Sequence, residues 1–379
     1  MSTTTQGVQP ALIFIPDISG FTRFVTDVEI DHSSHIIQEL LEILIESNDI
    51  HLEISEIEGD AILFYRFGEA PTAAELLAQV QKMFINFHKH LKKYETHRIC
   101  QCGACKTTHD LTLKFIAHYG DITINTIKNH DKLFGKDVIV AHRLLKNDIE
   151  HHEYALITEN LAITNNETPT LAWSPLQQSS QEYDSGLVRF DYLALAPLLQ
   201  QVPTLEIEDY SIPGVKVPMV TSSAVIEAPL DMVFSVFADL RWRAKWIDGA
   251  QPEVDHLNTA LFQNGAKHRC LLNGPINVAH DAHTSKDLIT FTETNTQRTE
   301  CTVYSLRRIN ENQTEVTCTE FRKRHFIQNL LFRLFQKRQH IKSIQKTLSN
   351  LNGYCKTLLT EGKAHHYRIV LENPSFMAA

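Results

Sequence analysis

Between Ala11 and Thr158 the apolar residues change period in a set order, and that order narrows the fold more than any other feature of the chain. Ala11 to Pro16 is a short apolar run with the pattern of a buried strand, ending at Asp17. From Ser33 to Ile45 the residues Ile36, Ile37, Leu40, Leu41, Ile43 and Leu44 recur at helical spacing, with Ser33 or Ser34 as N-cap. His51 to Glu56 and Ala61 to Tyr65 read as two strands around a Gly59-Asp60 turn. Ala73 to Leu91 follows as an amphipathic helix, and Leu111 to Ala117 with Asp121 to Ile124 as a strand pair around Gly120. Leu133 to Leu145 reads as a shorter helix and Tyr154 to Thr158 as a strand. The order β-α-β-β-α-β predicts an α+β, ferredoxin-like unit with helices on one face of an antiparallel sheet.

With 379 residues, the chain exceeds one ordinary core at roughly 100–200 residues per domain. Periodicity fades near Ser174, where Gln, Ser and Pro dominate. The expected division is therefore a first domain over 1–175, a linker over 176–217, a second domain over 218–362 and a tail over 363–379. Hydrophobic content of 43% with 21% charged residues is that of a globular protein, and no run approaches the ~20 apolar residues of a membrane span. The first residues carry no basic and apolar leader, which points to the cytoplasm. A net charge of -9 speaks against general nucleic-acid binding.

Two carboxylates carry the chemistry of the first domain. Asp17 closes the first strand and Asp60 sits on the next hairpin's turn, so the flanking strands bring them together. Hard divalent cations take such oxygens, and paired cations of this kind serve phosphoryl chemistry. Taken singly, Asp17 reads rather as a helix cap and Asp60 as a turn residue, and it is the pair that points to a cation.

Three motifs in order then resemble the class III adenylyl and guanylyl cyclases: Asp17-Ile18-Ser19-Gly20-Phe21-Thr22, Glu58-Gly59-Asp60-Ala61, and Gly135 through Arg143. The resemblance covers about residues 10 to 165. It implies Asp17, Asp60 and the Ile18 carbonyl as ligands of two Mg²⁺ or Mn²⁺ ions. Glu56 and Lys132 fall at the base-contacting positions, with Glu56 the guanine-preferring choice. Arg143 matches the arginine that stabilises charge on the phosphate. It also implies a homodimer, with the carboxylates of one copy facing Arg143 of the other, and a nucleoside triphosphate as substrate. Three departures stand out: Ile139 replaces the ribose-orienting asparagine, Lys132 replaces the usual Asp or Cys, and the late phosphate-binding lysine has no counterpart.

Of seven cysteines, Cys100, Cys102 and Cys105 crowd together, flanked by His97 and His109. Three thiolates and an imidazole suit tetrahedral zinc in a structural site, and reduced thiols without metal are the other reading. A CxCxxC insert in such a domain is similar to an uncharacterised bacterial family of cyclase homologues.

After residue 217 the grammar changes to strand, helix, several strands and a long closing helix. The opening Ala228-Pro229-Leu230-Asp231-Met232-Val233-Phe234, with Trp242 and Trp246, resembles the helix-grip START/SRPBCC superfamily. That resemblance implies a curved sheet around a long helix, and a cavity for a hydrophobic small molecule or lipid. Trp246, Phe262, Phe291 and Phe335 are its candidate lining, with core packing as their other reading. The closing helix is basic, with no acidic residue from Phe321 through Lys346. Its apolar face is expected to be taken up by the fold, which leaves little for a membrane surface. Two functions fit: a divergent nucleotide cyclase coupled to a ligand-binding domain, or a catalytically degenerate binding and scaffold protein of the same architecture.

Overall fold

The structure is a computed structural model and describes residues 7–21, 24, 30–97, 107–128, 130–161, 173–183, 186–204, 209–212, 218–238, 242–254, 267–271, 275–323 and 326–361. It is a mixed α+β protein in two compact units. One comprises residues 1–26, 33–92 and 107–204, and the other 27–32, 93–106 and 205–379.

The first unit follows the expected order: β1 (Gln9–Ser19), α1 (Ile30–Glu46), β2 (Glu53–Glu58), β3 (Ala61–Phe67), α2 (Ala73–His97), β4 (Thr112–Ile127), β5 (His130–Phe134), α3 (Lys136–Leu144) and β6 (Tyr154–Thr158). The strands run β2-β3-β1-β4-β6, with β1 antiparallel to both β3 and β4 and with β4 parallel to β6. Central β1 is apolar on both faces, as a strand covered on both sides must be. Its Ala11, Ile13 and Ile15 join Leu63, Ile116, Val138, Ala141 and Leu144 in one core cluster, which places α3 on that face. Leu12, Phe14 and Ile18 alternate with them and are fully buried, Phe14 stacking on Phe115. A buried pair between Glu39 and His90 Nε2, 2.9 Å apart, joins α1 to α2.

Three expectations are corrected. No turn forms at Gly120: β4 runs unbroken through it, paired with Ala11. The glycine serves close approach instead, since a Cβ there would lie 2.2 Å from Asp137 Cγ. Asp137 fills that space, accepting from the Asp121 amide at 2.8 Å and bonding His118 Nε2 at 3.0 Å. Second, Leu133 and Phe134 belong to β5, and the helix begins only at Lys136. Gly135 separates the two, its α-carbon so near the Asp121 carbonyl that a Cβ would come within 2.9 Å of that oxygen.

Third, residues 176–217 contain more than a linker. β7 (Gln177–Tyr183) and β8 (Gly186–Ala194) form a hairpin, and β8 pairs with β6 to widen the sheet. The outer strand is polar on both faces, Gln-Gln-Ser-Ser-Gln-Glu, so it shows no period.

The second unit is a seven-stranded antiparallel sheet ordered β10-β11-β12-β13-β14-β15-β9. Its strands are β9 (Pro218–Ile226), β10 (Ala250–Val254), β11 (Lys267–Leu271), β12 (Asn277–Thr284), β13 (Leu288–Asn295), β14 (Glu300–Asn310) and β15 (Gln313–Arg322). Helices α4 (Leu230–Ala238) and α5 (Arg243–Trp246) follow β9. α6 (Phe326–Leu331), one π-helical turn (Phe332–Gln336) and α7 (Lys337–Thr360) close it. α7 buries the stripe Leu348, Leu351, Cys355 and Leu358.

Candidate functional site

Asp17 is where it is because of strand alternation. It follows Ile13 and Ile15 on the face that carries α3, so the apolar row ends in a carboxylate. Across the β1–β4 ladder its partner is Lys114, with Nζ 2.9 Å from Asp17 Oδ2. Asp60 occupies the two-residue turn between Glu58 and Ala61, closed by Gly59 at φ +62°. The Ile18 amide donates to the Asp60 carbonyl at 3.0 Å, so main chain ties the two motifs together. Asp17, Asp60, Glu58, Lys114, His142 and Lys146 line one cavity of about 300 Å³.

Burial, and then the negative charge of Asp17, push the Asp60 carboxyl up to about 6. A cation placed between the carboxylates would remove the second cause. The donors suit Mg²⁺ or Mn²⁺: hard oxygens, and the Ile18 carbonyl from a residue whose side chain is buried on the other face. Among the described residues no group of three or more His, Cys, Asp or Glu side chains is placed to hold a metal. Two carboxylates are nevertheless the usual protein share for Mg²⁺, which takes its other ligands from substrate phosphates and water.

Glu56 and Lys132 come together. Lys132 Nζ is 3.7 Å from Glu56, and His142 Nε2 is 3.9 Å from the same carboxylate. Arg143 is half-buried on α3 and does not line the cavity, although its neighbour His142 does. Ile139, one turn earlier, is 54% exposed. The helix carrying both is held to the sheet by Asp137, whose partner His118 also bonds Thr158 Oγ1 at 2.9 Å. Burial lowers the pKa of His118, which favours its neutral imidazole.

Lys114 is the residue that sequence reasoning passed over. Its signal was a lone cation in the apolar run Leu111 to Ala117, at a strand position facing the aspartates. Together with Lys146 and His142 it gives the cavity three basic groups.

Cys100, Cys102, Cys105, the His97 side chain and Phe262 lie outside the described residues. Trp246 and Phe291 are buried among Phe237 and Tyr304, with ring centroids 4.9 to 5.5 Å apart, so they pack the core of the second unit. Phe335 is exposed and lines no interior cavity, which corrects its expected place.

Residues 37–154 match a family model described as a protein of unknown function (DUF2652). An uncharacterized protein of Mycobacterium tuberculosis is 27% identical over 152 residues, 40% of this chain and 71% of that one. Among solved structures, the adenylyl cyclase CyaB from P. aeruginosa is 14% identical with a TM-score of 0.34, covering 50% of this chain and 95% of its own. The guanylate cyclase domain of RhGC from Catenaria anguillulae, solved in complex with GTP, is 16% identical with a TM-score of 0.33, covering 50% and 98%.

Proposed function

We propose that the first unit is a divergent class III cyclase-type domain that binds a nucleoside triphosphate with Mg²⁺ or Mn²⁺ and cyclises it in a homodimer. The observation that carries this reading is the convergence of Asp17 and Asp60 in one cavity with Lys114 and Lys146. Asp17 and Asp60 hold the cation, which would polarise the ribose hydroxyl and the phosphate oxygens. Lys114 limits repulsion between the carboxylates, and Lys146 and His142 face the triphosphate charge. Glu56, with Lys132 and His142 against it, is positioned for the base.

Arg143 acts from the partner copy, in keeping with its place on α3 outside its own chain's cavity. Exposed apolar residues Ile54 and Ile57 on β2, Phe134 on β5 and Ile139 on α3 supply the surface for that association. For the second unit we infer a helix-grip fold, supported by β9 closing the sheet beside β15 and by the long final helix seated on β9. A hydrophobic ligand there, and structural zinc on His97, Cys100, Cys102 and Cys105, remain parts of this proposal.

A second reading, nucleotide binding without turnover, is favoured by one observation: Ile139 offers no hydrogen bond where ribose needs one. The test is incubation of the full chain with ATP, GTP, CTP or UTP and Mn²⁺ or Mg²⁺, with cyclic product measured. Wild-type product that is absent from Asp17→Ala/Asp60→Ala establishes the cyclase. No product from a folded, dimeric wild type sinks the cyclisation and leaves the binding reading.

A further inference from the structure

The closing helix of the second unit does not use its apolar residues as its sequence suggests. Its buried stripe runs back from Leu358 through Cys355, Leu351 and Leu348 to half-buried Ile344 and Ile341. Continued at α-helical spacing, it would next bury position 337 and then Leu334. The π-helical turn Phe332–Gln336 carries a wider step and changes the phase. Phe332 becomes the buried residue, packed with Met219, Val220, Ile341 and Ile344.

Leu330, Leu331, Leu334 and Phe335 are thereby turned outward, at 47%, 50%, 66% and 75% exposure. Four large neighbouring apolar side chains on one helical segment are not an ordinary surface. The charged residues of this stretch of sequence are all cations. Arg322, Lys323, Arg324, Arg333, Lys337, Arg338, Lys342 and Lys346 fall between Phe321 and Lys346 with no acidic residue, in a chain whose net charge is -9. Nearby carboxylates are already engaged: Glu320 by His340, Glu300 by Arg322 and Asp248 by Lys346. Among the described residues Lys337, Arg338 and Lys342 make no ion pair, and Arg333 contacts only the Met219 sulfur, 4.0 Å away.

We propose that the segment from Leu330 to Lys342 is a membrane-surface anchor for an anionic bilayer. Leu330, Leu331, Leu334 and Phe335 enter the boundary between headgroups and acyl chains, while Arg333, Lys337, Arg338 and Lys342 meet lipid phosphates. A purely acidic protein partner would satisfy the cations and leave the four apolar groups in water. No helix among the described residues is long and apolar enough to cross a membrane, so the contact is interfacial. Phe332, seated on β9, holds the segment in this orientation before any lipid is met. The proposal is independent of the nucleotide site.

The test is flotation of the full chain with vesicles of phosphatidylcholine alone or mixed with phosphatidylglycerol. Wild type is expected to float with the mixed vesicles, to lose binding as salt rises, and to stay behind with phosphatidylcholine alone. Arg333→Gln/Lys337→Gln/Arg338→Gln should weaken binding on the order of a hundredfold, at several-fold per cation. Leu334→Glu/Phe335→Glu should abolish it with an unchanged melting curve, because both side chains are already exposed. Wild type that ignores anionic vesicles overturns the proposal, as does binding that both variants retain. A Leu334→Glu/Phe335→Glu variant that loses only self-association, with no vesicle binding by wild type, would make the patch an interface between copies.

Discussion

Glu293→Ala is expected to destabilise the second unit by about 3–5 kcal/mol. Arg243 is 2% exposed and Glu293 6%, and they form a two-pronged pair with Nη2 2.5 Å from Oε1 and Nη1 3.3 Å from Oε2. The guanidinium also lies 5.6 Å from the Phe237 ring centroid. Removing the carboxylate takes the two-pronged partner away from a buried charge, and the protein must either hydrate that charge or unfold around it. Replacing both partners, as Arg243→Met/Glu293→Leu, should recover most of the loss because neither charge remains. Melts followed by tryptophan fluorescence would show this as a fall of roughly 10 °C for the single variant. A Glu293→Ala midpoint within about 2 °C of wild type would mean the site admits water freely.

Arg143→Ala is expected to lower cyclic nucleotide production by roughly 100- to 1000-fold while leaving the fold intact, as loss of one charge-stabilising donor does. Arg143 is half-buried on α3, and its own chain's cavity is lined by His142 and Lys146 instead. If the arginine acts across a two-fold dimer, mixing Arg143→Ala with Asp17→Ala must rebuild one complete site in each mixed dimer. Random assortment gives mixed dimers half the time, so about a quarter of wild-type activity should return. Recovery in the mixture shows a shared site. An Arg143→Ala protein that turns over at the wild-type rate removes the residue from the mechanism.

Much of the first unit was legible because its signals are local. An apolar run ending in Asp17, and a Gly59-Asp60 turn between two strands, each need only a few adjacent residues. The close β1–β3–β4 pairing then follows from the helical and strand periods between them. What was not legible depended on contacts between distant positions. Gly120 looked like a turn because a glycine in a strand gives the same local signal as one in a loop, and only Asp137 packing against it separates the two. The β7–β8 hairpin hid because an outer strand with polar residues on both faces has no period. Lys114 was overlooked because a lone cation in a strand means little until its cross-strand neighbour is known to be Asp17. In the second unit, helical spacing alone assigned Leu334 and Phe335 to the interior. One wide helical turn put them outside.

The most direct test of the central claim is calorimetric titration of the full chain with a 3′-deoxy nucleoside triphosphate, with and without Mn²⁺, because such a ligand binds without reacting. Binding should require the cation and be lost in Asp17→Asn/Asp60→Asn. It should also strengthen as pH rises through about 6 and level off above it. Asp60 is protonated below about 6, and a proton there competes with the cation. Nucleotide binding that ignores Mn²⁺, or that survives in the double variant, would contradict the assignment of Asp17 and Asp60 as the cation site.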